Sequence, residues 1–193
     1  NVNYINIKIQ KEKFDFKSKN IPKKIEINKD TLELFGYFIA EGSSHQTTVR
    51  FAFAEKEVEY IKRVSELVKK IFGLNCKLYY EKNCAIVTIC NVFLAKFFRN
   101  HFYNSNKEKM IPEFLIFLNP DLQKFLLKGL WRGDGYINTV RSQPRAGYST
   151  VSDALLWQIK FLLLRQKIAP SIYTKEAKII KNVNHKKSYR IHV

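Results

Sequence analysis

Leu34-Phe35-Gly36-Tyr37-Phe38-Ile39-Ala40-Glu41-Gly42 and Leu127-Lys128-Gly129-Leu130-Trp131-Arg132-Gly133-Asp134-Gly135 share one pattern: Leu-x-Gly, three variable positions, a small residue, an acid and a glycine. In a helix Gly36 and Ala40 lie one turn apart on one face, as do Gly129 and Gly133, and such a face has nothing to hold a second backbone away. Two faces of this kind suit each other. Crossing in parallel about a pseudo-two-fold axis, the helices set Glu41 and Asp134 side by side. An acid before a glycine is by itself a common helix ending. The paired nine-residue pattern, with matching elements after each copy, is far more specific. Two carboxylates at helix C-termini, where the macrodipole is already negative, repel each other and call for a cation. Oxygen ligands from Glu41 and Asp134, with the carbonyls of Ala40 and Gly133 and water, suit Mg²⁺ or Mn²⁺. Such an ion would activate water and hold a phosphate for phosphodiester hydrolysis.

The elements around the two copies repeat. Asp30 with Glu33 three residues later reads as a capping box opening a helix over 31–41, and Gly42 ends it. Thr47 to Ala54 has strand character, and Val58, Ile61, Val64, Val68 and Ile71 recur at helical spacing. Leu74–Tyr80 and Ala85–Cys90 form a hairpin around Lys82-Asn83, followed by a helical face over Val92–Phe98. Asn119 before Pro120 starts the second motif helix. A hairpin over 136–151, a helix carrying Leu155, Leu156, Ile159, Leu162 and Leu163, and strands at 171–174 and 188–193 complete the second unit. The pattern predicts an α+β fold of two pseudo-symmetric repeats. Residues 1–29 form an extension that includes a strand at Val2–Ile9 and a connector at Phe16–Lys24. Residues 30–118 are the first repeat and 119–193 the second, shortened at its C-terminus. A monomer with internal two-fold symmetry is expected.

Composition narrows the partners. The chain has 193 residues, 46% of them hydrophobic, with 34 Lys and Arg against 17 Asp and Glu, for a net charge of +17. Self-repulsion of that size is relieved by a polyanion, and nucleic acid is the first candidate. The basic residues are interleaved with apolar runs, so the charge belongs to a folded surface. Cys76, Cys84 and Cys90 form no C-x-x-C pair, which points away from zinc and a disulfide framework and towards an intracellular setting. The longest apolar stretch, Ile111–Trp131, is interrupted by Pro112, Pro120 and charges, so no membrane partner is expected.

In these two segments the chain resembles the double-motif LAGLIDADG homing endonucleases, particularly the dodecapeptide branch associated with inteins. The resemblance spans residues 31–193. It implies two αββαββα units forming a saddle over the major groove of double-stranded DNA with a long recognition site, and metal-dependent cleavage of both strands. It assigns Glu41 and Asp134 as metal ligands. It also implies an active-site lysine before an Ile-Pro pair, which here is Lys109 in Lys109-Met110-Ile111-Pro112. Arg132 stands where the family's first acid usually lies. The second repeat lacks counterparts of the Val92 helix and of Lys109, which leaves unequal cleavage of the two strands open. No initial Cys or Ser and no terminal His-Asn flank the segment, so splicing by the chain as given is not expected.

Strands after each motif are expected to face DNA through Ser44, Gln46, Thr48 and Arg50 in the first half and Asn138, Arg141, Gln143 and Arg145 in the second. Lys77, Tyr79, Lys175 and Arg190 would extend the footprint. The alternative is a LAGLIDADG protein without cleavage, acting as a DNA-binding module or an RNA-splicing maturase.

Overall fold

The structure is a computed structural model and describes residues 3–7, 18–140, 143–180 and 183–193. The chain opens with a two-stranded antiparallel ribbon, β1 (Tyr4–Asn6) and β2 (Lys24–Glu26). The first unit then runs α1 (Lys29–Glu41), β3 (Gly42–Ser44), β4 (Thr48–Ala54), α2 (Val58–Phe72), β5 (Lys77–Glu81), β6 (Cys84–Cys90) and α3 (Val92–His101). A short helix α4 (Glu113–Ile116) leads into the second unit: α5 (Pro120–Asp134), β7 (Gly135–Val140), β8 (Gln143–Thr150), α6 (Asp153–Arg165), β9 (Ser171–Lys175), β10 (Lys178–Ile180), β11 (Val183–His185) and β12 (Ser188–His192). The sheets have orders β3-β4-β6-β5 and β7-β8-β12-β9, and the hairpin β10-β11 stands apart between β9 and β12. The two-repeat α+β architecture is the one the motifs predict.

The repeats meet along α1 and α5, the most extensive contact between any two elements. A methyl on Gly36 would lie 2.8 Å from the Gly129 Cα, and one on Gly129 would lie 2.9 Å from the Gly36 Cα. The backbones can touch only because both positions are glycine. Each sheet turns one face to the helices. In β4, Val49, Phe51 and Phe53 are buried while Arg50, Ala52 and Ala54 are exposed, the period-two pattern of a half-buried strand. Ile5, Ile7, Ile21, Ile25 and Ile27 join the same core, so the segment before α1 is packed into the first unit. Asn91 donates to the Lys19 carbonyl at 2.8 Å, fastening that segment to the start of α3.

One local reading changes. The capping residue of α1 is Asn28, whose side chain accepts from the amides of Asp30 and Thr31 at 3.1 and 3.2 Å. Asp30 and Glu33 are instead held by cations: Asp30 by Arg63 at 2.8 Å and Lys70 at 2.6 Å, and Glu33 by Arg63 at 2.7 Å, Arg132 at 2.8 Å and Lys128 at 3.2 Å. Long-range charge pairing has taken the carboxylates that a local capping box would use. The Lys82-Asn83 turn holds as read, with both residues at positive φ (49° and 65°), the twist that a tight hairpin requires.

Candidate active site and nucleic-acid interface

The two motif helices end together. Gly133 packs on Ala40, and a methyl at Gly133 would come within 3.1 Å of the Glu41 Cγ, so the two acids leave adjacent helix ends. Gly42 and Gly135 stop the helices in extended conformation (φ −82° and −75°), turning each chain straight into the first strand of its sheet. The carbonyls of Ala40 and Gly133 lie in last turns, where the helix supplies no amide further along.

Lys109 reaches this point from the loop after α3. Main-chain bonds from Asn104 to Glu108 (2.9 Å) and from Met110 to Phe102 (3.1 Å) fold the loop back on itself. The Lys109 Nζ donates to the Phe38 carbonyl at 2.5 Å and lies over the Phe38 ring, 3.6 Å from its centroid. From the other repeat, Ser152 donates its hydroxyl to the Lys109 carbonyl at 3.0 Å, and the Gln158 amide bridges the Ile111 main chain, accepting at 2.7 Å and donating at 2.8 Å. A cavity of about 590 Å³ opens here, walled by Ala40, Lys109, Asp134, Tyr148, Ser152 and Lys186 among others.

The electrostatics are those of charges short of solvent. Burial pushes the Glu41 carboxyl up to about 7, reinforced by the Asp134 and Glu57 charges and opposed by Lys109. Burial also raises Asp134 to about 6, against the Tyr148 hydrogen bond and the Lys109 charge. Asp134 keeps much of its own surface open at the mouth of the cleft, so the mass of protein on one side, not enclosure, raises it. Burial brings Lys109 down to about 7 while Asp134 and Glu41 hold it up. The Tyr148 hydroxyl donates to Asp134 at 3.4 Å. Among the described residues no group of three or more His, Cys, Asp or Glu side chains gathers. A cation at Glu41 and Asp134 would therefore complete its shell with main-chain carbonyls, water and phosphate oxygens, which is the habit of Mg²⁺.

The outer sheet faces carry the polar candidates unevenly. Thr48 and Arg50 lie on the outer face of β4, where Arg50 pairs with Ser43, and Lys77 and Tyr79 share that face through β6. Ser44 does not: it sits opposite buried Val49, and its hydroxyl donates to the Ala95 carbonyl at 2.8 Å. Gln46 is exposed in the loop between β3 and β4, where Arg99 donates to its carbonyl at 3.2 Å. Asn138 and Arg145 are exposed partners across β7 and β8. Gln143 begins β8, and Arg141 lies outside the described residues. Arg190 and Tyr173 pair across β12 and β9. Ser43, Tyr148, Ser152 and Gln158 escaped the sequence reading. Strand alternation outward from Arg50 would have favoured Ser43 over Ser44, whereas the contacts of the other three join segments far apart in sequence.

Residues 121–193 match the model of the LAGLIDADG-like domain. The ATP-dependent DNA helicase Hel308 of Thermococcus kodakarensis is 31% identical over 163 residues, covering 80% of this chain and 14% of that protein. The glutamine–fructose-6-phosphate aminotransferase of Methanocaldococcus jannaschii is 27% identical over 160 residues, covering 81% and 14%. The chain thus spans about a seventh of the length of these curated relatives. Among solved structures, I-DmoI in complex with DNA and Mn aligns with a TM-score of 0.60 at 13% identity, over 86% of this chain and 89% of that one. The N-terminal LAGLIDADG domain of DUF199/WhiA aligns with a TM-score of 0.52 at 18% identity, over 84% and 74%. Residues 121–193 thus match a LAGLIDADG-like domain, and the glycine-faced helix pair with its two sheets has the two-repeat fold of the I-DmoI structures.

Proposed function

We propose that this protein binds double-stranded DNA along its two outer sheet faces and hydrolyses phosphodiester bonds at Glu41 and Asp134 with Mg²⁺ or Mn²⁺. The observation that carries the reading is the meeting of these two acids at adjoining helix ends, within electrostatic reach of Lys109. When bound, the metal supplies Lewis acidity and an activated water. Arg50, Lys77, Asn138, Arg145 and Arg190 would position the duplex, and the +17 charge would draw it in. Glu41 and Asp134 would hold the metal, which would supply charge neutralisation at the scissile phosphate. Lys109, fixed against the Phe38 carbonyl, offers a compact donor to the charge that builds on the phosphate.

The curated relatives support a further part of the reading. A helicase and an aminotransferase have no activity in common, yet each aligns with about 160 residues of this chain, a small fraction of its own length. That distribution suits a movable insertion, such as an intein-borne endonuclease, better than a part of either host activity. A second reading, a DNA-binding module without cleavage, is favoured by a site that holds two carboxylates and, among the described residues, no group of three or more His, Cys, Asp or Glu.

The deciding experiment is cleavage of a library of long duplexes with Mg²⁺ or Mn²⁺ by the wild type, Glu41→Gln and Asp134→Asn. Metal-dependent cuts by the wild type alone are expected, with binding retained by all three. Tight duplex binding without cuts would establish the module, and displacement of DNA by structured RNA would establish a maturase.

A further inference from the structure

Helix α6 has two apolar faces, and the fold uses one. Leu155, Leu156, Ile159, Leu162 and Leu163 are buried against the second sheet and α5. Trp157, Phe161 and Leu164 form a second stripe at helical spacing and are 52%, 40% and 50% exposed. Facing them, Phe117 at the end of α4 is 68% exposed, its ring centroid 6.4 Å from that of Phe161. Between the two lies a groove of about 450 Å³, lined by Met110, Ile116, Phe117, Trp157 and Phe161, with Glu113 and Gln158.

The internal symmetry supplies a control. Aligning buried Val64, Leu67 and Val68 of α2 on Ile159, Leu162 and Leu163 of α6 puts Lys62, Glu66 and Lys69 where Trp157, Phe161 and Leu164 stand. All three α2 residues are exposed, as a helix facing water should be. The architecture therefore does not require an apolar stripe there, and only the second repeat has one. Contiguous apolar surface of this kind marks a place where another molecule sits.

Charge and hydrogen bonding choose the occupant. Lys160 lies over the Trp157 ring at 5.0 Å, and the whole chain carries +17. A second copy would bring another chain of +17 against this one. Nucleic acid finds few free polar groups in the groove: the Gln158 amide is committed to Ile111, and the neighbouring Arg165 guanidinium is committed to Gln123 and the Leu118 carbonyl. We propose that the Trp157–Phe161–Leu164 stripe and the Phe117 groove dock an acidic amphipathic helix of a partner protein, whose apolar side chains repeat every three to four residues. Such a helix fills the groove with its apolar face and meets the positive field with its flanks.

The test uses the full chain and a fluorescent synthetic helix with Leu at the groove-facing positions and Glu elsewhere, beside a twin with Lys in place of Glu. Anisotropy is read on the wild type, on Trp157→Lys/Phe161→Glu/Leu164→Lys, which installs the residues found in α2, and on Phe161→Glu alone. Thermal melts check that each variant is folded. The acidic helix should bind the wild type and lose at least about tenfold in affinity for the triple variant, whose net charge is almost unchanged, while the Lys twin binds neither. Equal binding of the acidic helix to wild type and variants would show charge attraction alone and overturn the proposal. So would a wild-type dimer in sedimentation that the variants dissolve, which assigns the stripe to self-association, or a loss of duplex binding in the variants, which assigns it to nucleic acid.

Discussion

Gly36 and Gly129 face each other across the helix pair so closely that each would drive an added methyl into the other's backbone. The neighbours are main-chain atoms of α1 and α5, which cannot rotate away. Gly129→Ala should therefore destabilise the protein by about 3 kcal/mol, the upper range for overpacking a tight core. Gly73→Ala, where the structure shows open space but positive φ, should cost less, about 1 kcal/mol. Urea denaturation of both variants ranks them, and the reverse order would mean that the helices can separate without penalty.

Stability should fall in acid through Asp30 and Glu33. The Lys70 hydrogen bond, aided by Arg63 and against burial, holds Asp30 below its ordinary value. Burial pushes Glu33 up, yet Arg63 and Lys128 outweigh it and the net shift is downward. Carboxyls depressed in the folded state contribute stability that is complete above their unfolded values and lost as pH falls through the depressed ones. The wild-type melting temperature should therefore drop below about pH 4. Glu33→Gln should already be about 3 kcal/mol less stable at neutral pH, because it leaves Arg63, Lys128 and Arg132 without their common partner. Thermal melts across that range check both statements.

The acids of the site have the opposite sign. Glu41 and Asp134 are raised to about 7 and about 6, so the folded protein favours their protonated forms and ionisation costs stability as pH rises through those values. In chelator-treated protein, Glu41→Gln should melt about 3 °C or more above the wild type at pH 8, and the gap should close near pH 5. A gap that widens in acid would contradict the burial assigned to Glu41.

Removing the lysine should separate chemistry from binding. Lys109→Met is expected to slow single-turnover cleavage by about 100-fold, as loss of one positioned donor does, while duplex affinity changes little. Parallel loss of both would place Lys109 among the phosphate contacts.

Arg145 on the outer face of β8 should act in the other direction. Arg145→Ala is expected to weaken duplex binding and reduce the slope of log affinity against log salt by about 1. An unchanged slope would take this face of the sheet out of the DNA footprint.

The helix pair was legible in the sequence because a small-residue face at one-turn spacing leaves a mark that survives without any knowledge of the partner. The hairpins were legible for the same local reason: alternation in Val49–Phe53 and the Lys82-Asn83 turn carry their own signal. Asp30 and Glu33 misled because a capping box and a cation-bound pair look alike until Arg63, Lys128 and Arg132 arrive from other helices. The hairpin of β10 and β11 went unseen, since the sequence from Lys178 to His185 shows no strict alternation of polar and apolar residues to announce it. Tyr148 was passed over as one aromatic among many, and only the register of β8 against β7 brings it beneath Asp134.

The strap that carries Lys109 belongs by sequence to the first repeat but is fastened by Ser152 and Gln158 of the second. A chimera that joined residues 1–118 to a foreign second repeat could preserve both motif helices and still misplace its lysine. Recombination between such repeats would have to inherit positions 152 and 158 together with 109, so the unit of exchange in this fold is larger than the repeat that symmetry suggests.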